Sequence, residues 1–230
     1  MASGTVTAVM SQLVTRTTAI LATAGCLAMW PAARAQSQSR ALPKGPAFDC
    51  SKASGEVEKL ICADEGLGAL DRKLDAVYKA ALAKARDDVP QWLRTEQRGW
   101  LKGRDECWKA KGAADPVYLT ESWTATDVRG CVEAQYQLRI AELQVRLQLV
   151  PAQKPVFFAC NNNPANEIVA TFFETDPPAA RFEHGDRTVI GYLVRTASGA
   201  KYEGQNLSFW NKGNEATVTW SGEDLKCKVR

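Results

Sequence analysis

Apolar residues recur every three or four positions through the first part of the chain, a spacing typical of amphipathic helices. The clearest stripe predicts a helix over about 64–85, and it consists of Leu67, Leu70, Leu74, Val77 and Ala81. A second stripe predicts a helix over about 126–149, and it consists of Val132, Tyr136, Ile140, Leu143 and Leu147. Shorter helices are expected over 56–62, capped by Ser54, and from about Gln91, after a break at Pro90.

The pattern changes after Pro155, where short apolar or alternating runs replace the helical stripes. Five of these runs predict strands, at 156–159, 168–173, 188–194, 207–210 and 216–220. Turn-forming pairs such as Asn-Pro, Pro-Pro, Ser-Gly and Lys-Gly separate them. Many short strands with such turns predict an antiparallel meander that closes into a barrel, which leaves no exposed sheet edge. The predicted fold class is therefore α+β in two domains, an α-helical domain over 48–150 and a small antiparallel β-barrel over 155–230.

Residues 1–35 have the pattern of a secretory signal peptide. Arg16 is the only charge before the final Ala-Arg-Ala, the run 19–30 is almost entirely apolar, and the Ala-Arg-Ala resembles a signal-peptidase site. We expect cleavage before Gln36 and a disordered linker over 36–47, which is short of large apolar residues. The predicted location is periplasmic or secreted.

An alternative fate of the N-terminus is lipidation. Ala24-Gly25-Cys26 partly resembles a lipoprotein box, although Thr23 stands where such boxes usually have Leu. Processing at this site would give a membrane-anchored lipoprotein attached through Cys26, without changing the fold that follows.

Charge and histidine content narrow the functional classes. Removing Arg16 and Arg34 with the signal peptide lowers the 29 basic residues to 27, against 26 acidic ones. This near-neutrality gives no basic face for nucleic acid. His184 is the only histidine and no CxxC pair occurs, so neither a Cys/His zinc site nor a histidine-dependent triad is expected. We predict no metal, no cofactor and no nucleic-acid partner.

Six cysteines remain after the signal peptide, and an even number in an exported chain predicts disulfides. They are Cys50, Cys62, Cys107, Cys131, Cys160 and Cys227. The first four allow three connectivities; local pairing of neighbours is favoured, but the sequence does not choose. The last two lie near opposite ends of the strand-rich segment, where a bridge would tie the first strand to the last.

Two polar turns flank the predicted strand 207–210. Ser198-Gly199 precedes Lys201-Tyr202, and Lys212-Gly213 follows Trp210, which is expected to pack beneath the lysine turn. Because paired antiparallel strands bring their ends together, we expect Ser198 and Lys212 side by side on one rim. A hydroxyl and an ammonium there suit insertion into an acidic cleft. By pattern alone, both are also ordinary hairpin turns.

Phe158-Ala159-Cys160, SGAKY at 198–202, WNKGNEA at 210–216 and Cys227 together resemble the MliC/PliC family of bacterial inhibitors of C-type lysozyme. The resemblance covers 156–230 and implies a small antiparallel barrel that plugs the lysozyme cleft with two loops. The lysozyme-binding residues that it implies are Ser198, Gly199, Tyr202, Lys212 and Gly213. Of these, Tyr202 is interpreted as a packing residue that supports the serine turn.

The helical segment carries a second resemblance, to the N-terminal domain of LprI-type proteins, a family also associated with lysozyme inhibition. The matching motifs are Phe48-Asp49-Cys50, Leu60-Ile61-Cys62, Leu70-Asp71 and EQRGWLKGRDEC at 96–107. Its residues Glu96, Trp100 and Arg104 are interpreted as structural, and no inhibitory residue is assigned to this segment.

The prediction is therefore an exported inhibitor of C-type lysozyme that is not itself an enzyme. One alternative is a periplasmic envelope-binding or structural module that holds peptidoglycan or a partner without inhibiting anything. Another is a glycan-cleaving enzyme that uses Glu203, Glu215 or Glu223, although these carboxylates lie near turns with no sign of pairing.

Overall fold

The computed structural model describes residues 44–112, 117–118 and 124–230. The predicted signal peptide, the lipid-anchor cysteine at position 26 and residues 36–43 of the predicted linker lie outside these ranges. Within the described residues, no helix is both long enough and apolar enough to cross a membrane.

Four α-helices form the helical region, which we define as residues 44–150. They are α1 (Glu56–Ala63), α2 (Glu65–Lys84), α3 (Val89–Asp105) and α4 (Val128–Arg146). Short 3₁₀ turns lie at Cys50–Lys52 and Glu106–Ala110, and β1 (Val117–Tyr118) pairs with β2 (Thr124–Ala125). Disulfides join Cys50 to Cys62 and Cys107 to Cys131, which is the local pairing among the three that the sequence allowed.

Two helix starts differ from those predicted. The N-cap of α1 is Gly55 rather than Ser54, because the carboxylate of Glu58 accepts the backbone N–H groups of both residues, at 2.9 and 3.1 Å. Pro90 does not precede α3 but lies in its first turn. Proline is tolerated there, since the first N–H groups of a helix have no partner within it.

Eight antiparallel strands close into the barrel, which confirms the predicted α+β class. They are β3 (Val156–Cys160), β4 (Asn163–Phe173), β5 (Ala179–His184), β6 (Arg187–Val194), β7 (Ala200–Gly204), β8 (Leu207–Lys212), β9 (Glu215–Trp220) and β10 (Glu223–Val229). Each strand pairs with the next, and β10 pairs with β3. The sequence pattern missed β5, β7 and β10, in which charged residues or glycine interrupt the apolar alternation.

The up-and-down order divides the strand connections between two rims. One rim, here called the upper rim, carries the connections β4–β5, β6–β7 and β8–β9, and the opposite rim carries the others. Cys160 and Cys227 are directly paired across β3 and β10 and form the third disulfide. This bridge therefore fixes the seam at which the barrel closes.

Each region has its own core. Buried side chains of the helical core include Leu67, Leu74, Leu93, Tyr136 and Leu143, and those of the barrel include Phe158, Phe182, Leu207, Phe209 and Leu225. The aromatic rings of the barrel core pack directly on one another, with the centroids of Phe182 and Phe209 4.6 Å apart.

A third apolar cluster joins the helical region to the outer wall of the barrel. From α4 it takes Leu138, Ala141 and Val145, and from the barrel Phe173, Ala179 and Tyr192. The hydroxyl of Tyr192 donates to the carbonyl of Leu138 at 3.4 Å. The helix thus covers apolar side chains on β4–β6 that would otherwise face water.

Candidate functional site

The two turns singled out in the sequence lie together on the upper rim. Ser198-Gly199 leads into β7 and Lys212-Gly213 leads out of β8, and these strands pair with Ala200 opposite Asn211. The side chains of Ser198 and Lys212 are both exposed. The expected juxtaposition of the turns follows from this register.

The Ser198 turn is held by contacts with β8. The indole Nε1 of Trp210 donates to the carbonyl oxygen of Ser198 at 2.9 Å. Gly199 has φ +73°, and a Cβ at this position would lie 2.3 Å from the carbonyl oxygen of Asn211. Glycine is therefore needed both for the backbone conformation and for the close approach of the two turns.

The Lys212 turn is a two-residue hairpin connection, in which Gly213 and Asn214 join the paired residues Lys212 and Glu215. Gly213 has φ +63°, as expected for the first position of a type II′ turn. The side-chain amide of Asn211 donates to the carbonyl oxygens of Gly213 at 3.0 Å and Glu215 at 3.3 Å. Hydrogen bonds from Asn211 thus hold the hairpin tip that carries Lys212.

The ammonium of Lys212 keeps its charge available for a partner. Among the residues that the structure describes, no carboxylate lies within 4.0 Å of it, even though Glu215 is its cross-strand neighbour. Lys201, in contrast, forms an ion pair with Glu203 on the outer wall. The two lysines of the motif therefore differ, since one is paired and the other is not.

Tyr202 lies inside the barrel and not on its rim. It is 9% exposed, and its ring centroid is 5.4 Å from that of Phe172 and 5.8 Å from that of Phe182. Burial raises the pKa of its hydroxyl. Its position suits the supporting role interpreted from the sequence, because it anchors β7 from the core side.

Trp210 differs from the sequence-based expectation. It was predicted to pack beneath the Lys212 turn, but its indole is bonded to the Ser198 turn, and 41% of the residue is exposed. The reason is the alternation along β8: Phe209 points into the barrel, so Trp210 points out. This residue was not assigned to the site from the sequence, although its place at the start of the WNKGNEA motif was a signal.

The alternative catalytic carboxylates do not converge. Glu203 is buried and paired with Lys201, whereas Glu215 lies at the upper rim and Glu223 at the opposite one. His184 lies at the end of β5, where its Nε2 is 2.7 Å from Oδ1 of Asn166. Across the described ranges, no group of three metal-ligating side chains is found.

In the helical region, the motif residues face inward. Arg104 is 4% exposed and donates to the hydroxyl of Tyr136 at 3.0 Å and to Asp105 at 2.6 Å. Tyr136 in turn donates to Asp71 at 2.7 Å, and burial raises the pKa of its hydroxyl. The ring of Trp100 packs edge-on against Tyr136. These contacts support the structural interpretation of the motif.

Glu96, the remaining motif residue, connects α3 to α4. Its carboxylate lies 3.5 Å from Arg139 and 3.1 Å from Arg146, and Glu142 accepts from the same two guanidinium groups. The cluster is a four-membered ion network between two helices. The two carboxylates and the two guanidinium groups are paired with one another, which again indicates a structural role.

Comparison with known proteins confirms both resemblances. Residues 50–143 match the family model described as lysozyme inhibitor LprI, and residues 158–226 match the model described as membrane-bound lysozyme-inhibitor of c-type lysozyme. Curated proteins named lipoprotein LprI, from Mycobacterium bovis and Mycobacterium tuberculosis, are each 26% identical over 185 residues, which is 80% of this chain and 85% of theirs. Among solved structures, the chain is similar to Pseudomonas aeruginosa MliC, crystallised in complex with hen egg white lysozyme. That likeness has 26% identity and a TM-score of 0.31, and it covers 35% of this chain and 86% of the other.

Proposed function

Because an LprI-type region precedes an MliC-type region in this chain, we propose that the protein is an exported inhibitor of C-type lysozyme that blocks the glycan-cleaving cleft with its upper rim. Both matched families are lysozyme inhibitors. The observation that carries the loop assignment is the juxtaposition, on one rim, of an exposed serine turn and a lysine with no carboxylate partner among the described residues.

The chemistry of the target explains why these two side chains suit the task. Lysozymes cut glycan with two carboxyl groups, one protonated and one ionised. The ammonium of Lys212 would donate charge-assisted hydrogen bonds to the ionised carboxylate, and the hydroxyl of Ser198 would bond to a carboxyl oxygen nearby. Because these groups are occupied, the glycan is excluded, and the inhibition is competitive.

The rigidity of the two turns favours tight binding. Trp210, Gly199 and Asn211 already hold them in place before any partner arrives. Little conformational entropy is then lost on association, and more of the contact energy appears as affinity. When the ammonium of Lys212 enters the cleft it loses its hydration, which costs free energy. Close contact with the carboxylate is needed to offset that desolvation cost, and a rigid turn favours such contact.

Export and attachment to the cell envelope belong to the same proposal. The curated relatives are named lipoproteins and one matched family is described as membrane-bound, which supports a location outside the cytoplasm. The protein would then act either free in the periplasm or outside the cell, or tethered through Cys26. In this function the barrel makes the inhibitory contact, and the helical region supports it.

The test is a titration of hen egg white lysozyme, acting on a cell-wall suspension, with the mature protein and with Lys212→Ala and Ser198→Ala variants. Lys212→Ala removes an ammonium that would be buried against a carboxylate in the complex, so its inhibition constant should rise at least about 30-fold. Loss of one hydrogen bond should raise that of Ser198→Ala about fivefold. Raising the substrate concentration should weaken the inhibition by the parent protein, as competition requires.

Matched controls come from elsewhere on the barrel. Lys226→Ala removes an exposed lysine of β10, and Ser221→Ala alters the Ser-Gly turn at the opposite rim. Both should inhibit like the parent. If Lys212→Ala and Ser198→Ala also match the parent, the inhibitory surface lies elsewhere. A parent protein that leaves lysis untouched in large excess, yet sediments with isolated cell wall, would favour the envelope-binding alternative instead.

A further inference from the structure

Trp210 stands apart from the other exposed aromatic residues because it is bonded to the proposed inhibitory turn. Its ring lies on the outer wall of β8, between Lys201 on β7 and Thr217 on β9. Phe157 is similarly exposed, but it lies on β3, three strands further around the barrel. The ring of Trp210 is thus an apolar surface directly beside the Ser198 turn.

We propose that Trp210 extends the inhibitory surface: its N–H holds the Ser198 turn in its binding conformation, and its exposed ring contacts the lysozyme surface beside the cleft. This inference rests on the proposed function and gives a binding role to a motif residue that was not among the implied lysozyme-binding residues. The occupant is a lysozyme, because the ring is continuous with the rim that enters the cleft.

The hydrogen bond carries the first half of the proposal. The Ser198 turn is exposed, and its carbonyl oxygen accepts from the indole at 2.9 Å and, less closely, from the hydroxyl of Thr196 at 3.4 Å. Without the indole, water would satisfy this carbonyl, so the loss in overall stability would be small. The turn would nevertheless lose this side-chain link to β8, and its serine would be held less precisely.

The exposed ring carries the second half. Tryptophan offers a large and rigid contact area and is enriched among the residues that dominate protein–protein binding. Here the hydrogen bond to Ser198 and the flanking strands fix the ring before binding. Among the described residues, the outer wall at this point is open, since Trp210 is 41% exposed and its neighbour Thr217 is also exposed, while α4 packs on β5 and β6. A partner that engages the upper rim would therefore meet the ring.

Two substitutions separate the roles. Trp210→Phe keeps an aromatic ring and removes the N–H, whereas Trp210→Ala removes both. Hydrogen exchange of the free protein over 196–200 should be faster in Trp210→Phe than in the parent. The inhibition constant should rise about fivefold for Trp210→Phe and about 30-fold or more for Trp210→Ala. Oxidative footprinting of the parent in complex with hen egg white lysozyme should show protection of Trp210.

Trp108, which is 50% exposed in the helical region, supplies the matched control. Trp108→Phe and Trp108→Ala should leave inhibition unchanged, and Trp108 should not be protected in the complex. Unchanged exchange over 196–200 in Trp210→Phe would overturn the positioning role. Parent-like inhibition by Trp210→Ala, with Lys212→Ala impaired, would overturn the ring contact alone. If the parent itself does not inhibit, the proposed function fails and the ring contact with it, while the exchange measurement still decides the role of the N–H.

Discussion

The helical region and the barrel use their polar motif residues in opposite ways. In the helical region the motif residues Arg104 and Asp71 both bond to the buried hydroxyl of Tyr136. On the barrel, Ser198 and Lys212 point outward, and the lysine has no carboxylate partner among the described residues. The motifs of the two regions thus carry different information: those of the helical region specify a packed interior, and those of the barrel specify a surface.

The two regions also differ in how their disulfides constrain the chain. Those of the helical region span 12 and 24 residues, whereas that of the barrel spans 67 and links its first and last strands. In the chain-entropy model, a longer loop removes more freedom from the unfolded state. The barrel, whose strands must meet across the closing seam, should therefore depend more on its single bridge.

The largest expected effect comes from removing that bridge. Replacing Cys160 and Cys227 with alanine should lower the free energy of unfolding by about 4 kcal/mol, against about 3 kcal/mol for the same change at Cys50 and Cys62. Urea unfolding of both variants and the parent, without reductant, measures the difference. Inhibition by the barrel variant should also fall at temperatures where the parent is still active. A larger loss from the helical pair would contradict the comparison.

A smaller effect is expected from Tyr136→Phe, which removes the hydroxyl between Arg104 and Asp71. Two buried or half-buried polar groups then lose a partner, so stability should fall by about 2 kcal/mol. The inhibition constant should not change, because the network lies in the helical region and not on the rim. The control is Tyr78→Phe, a partly buried tyrosine on α2 for which no hydroxyl bond is found among the described residues. Weakened inhibition by a folded Tyr136→Phe protein would mean that the helical region takes part in binding.

The sequence predicted the parts of the molecule that depend on local pattern. The stripe on α2 and the apolar run of β8 set those elements, and antiparallel pairing alone placed Ser198 and Lys212 on one rim. The direction of Trp210 was not predicted, because it depends on strand register, and a shift of one residue reverses every side chain. The hydrogen bond from Arg104 to Tyr136 could not be predicted from local pattern either, because it joins residues 32 positions apart on different helices.

The smallest expected effect is a loss of stability at acidic pH, and it should occur in the helical region. The pKa of Glu58 is lowered by the backbone N–H groups of Ser54 and Gly55, and that of Asp64 by the backbone N–H of Leu67 and by Arg129. The pKa of Asp49 is lowered by the hydroxyl and the N–H of Ser51. Folding therefore favours the ionised forms. The stability that they contribute is present above the ordinary carboxyl pKa values, of 3.8 for Asp and 4.5 for Glu, and is lost as the pH falls through the lowered ones.

Glu58→Gln isolates one of these carboxylates. The amide is a weaker acceptor than a carboxylate for the backbone N–H groups at the start of α1, so this variant should be slightly less stable than the parent near neutral pH. The gap should close as the pH falls through the lowered pKa of Glu58, where the parent carboxylate becomes protonated. This difference in stability is measured by thermal unfolding at a series of pH values, followed by the helical circular dichroism signal. The effect should be modest because all three carboxylates are near the solvent, where such interactions are weak. A gap that stays constant down to the lowest pH would show that Glu58 stabilises α1 through its shape and not through its charge.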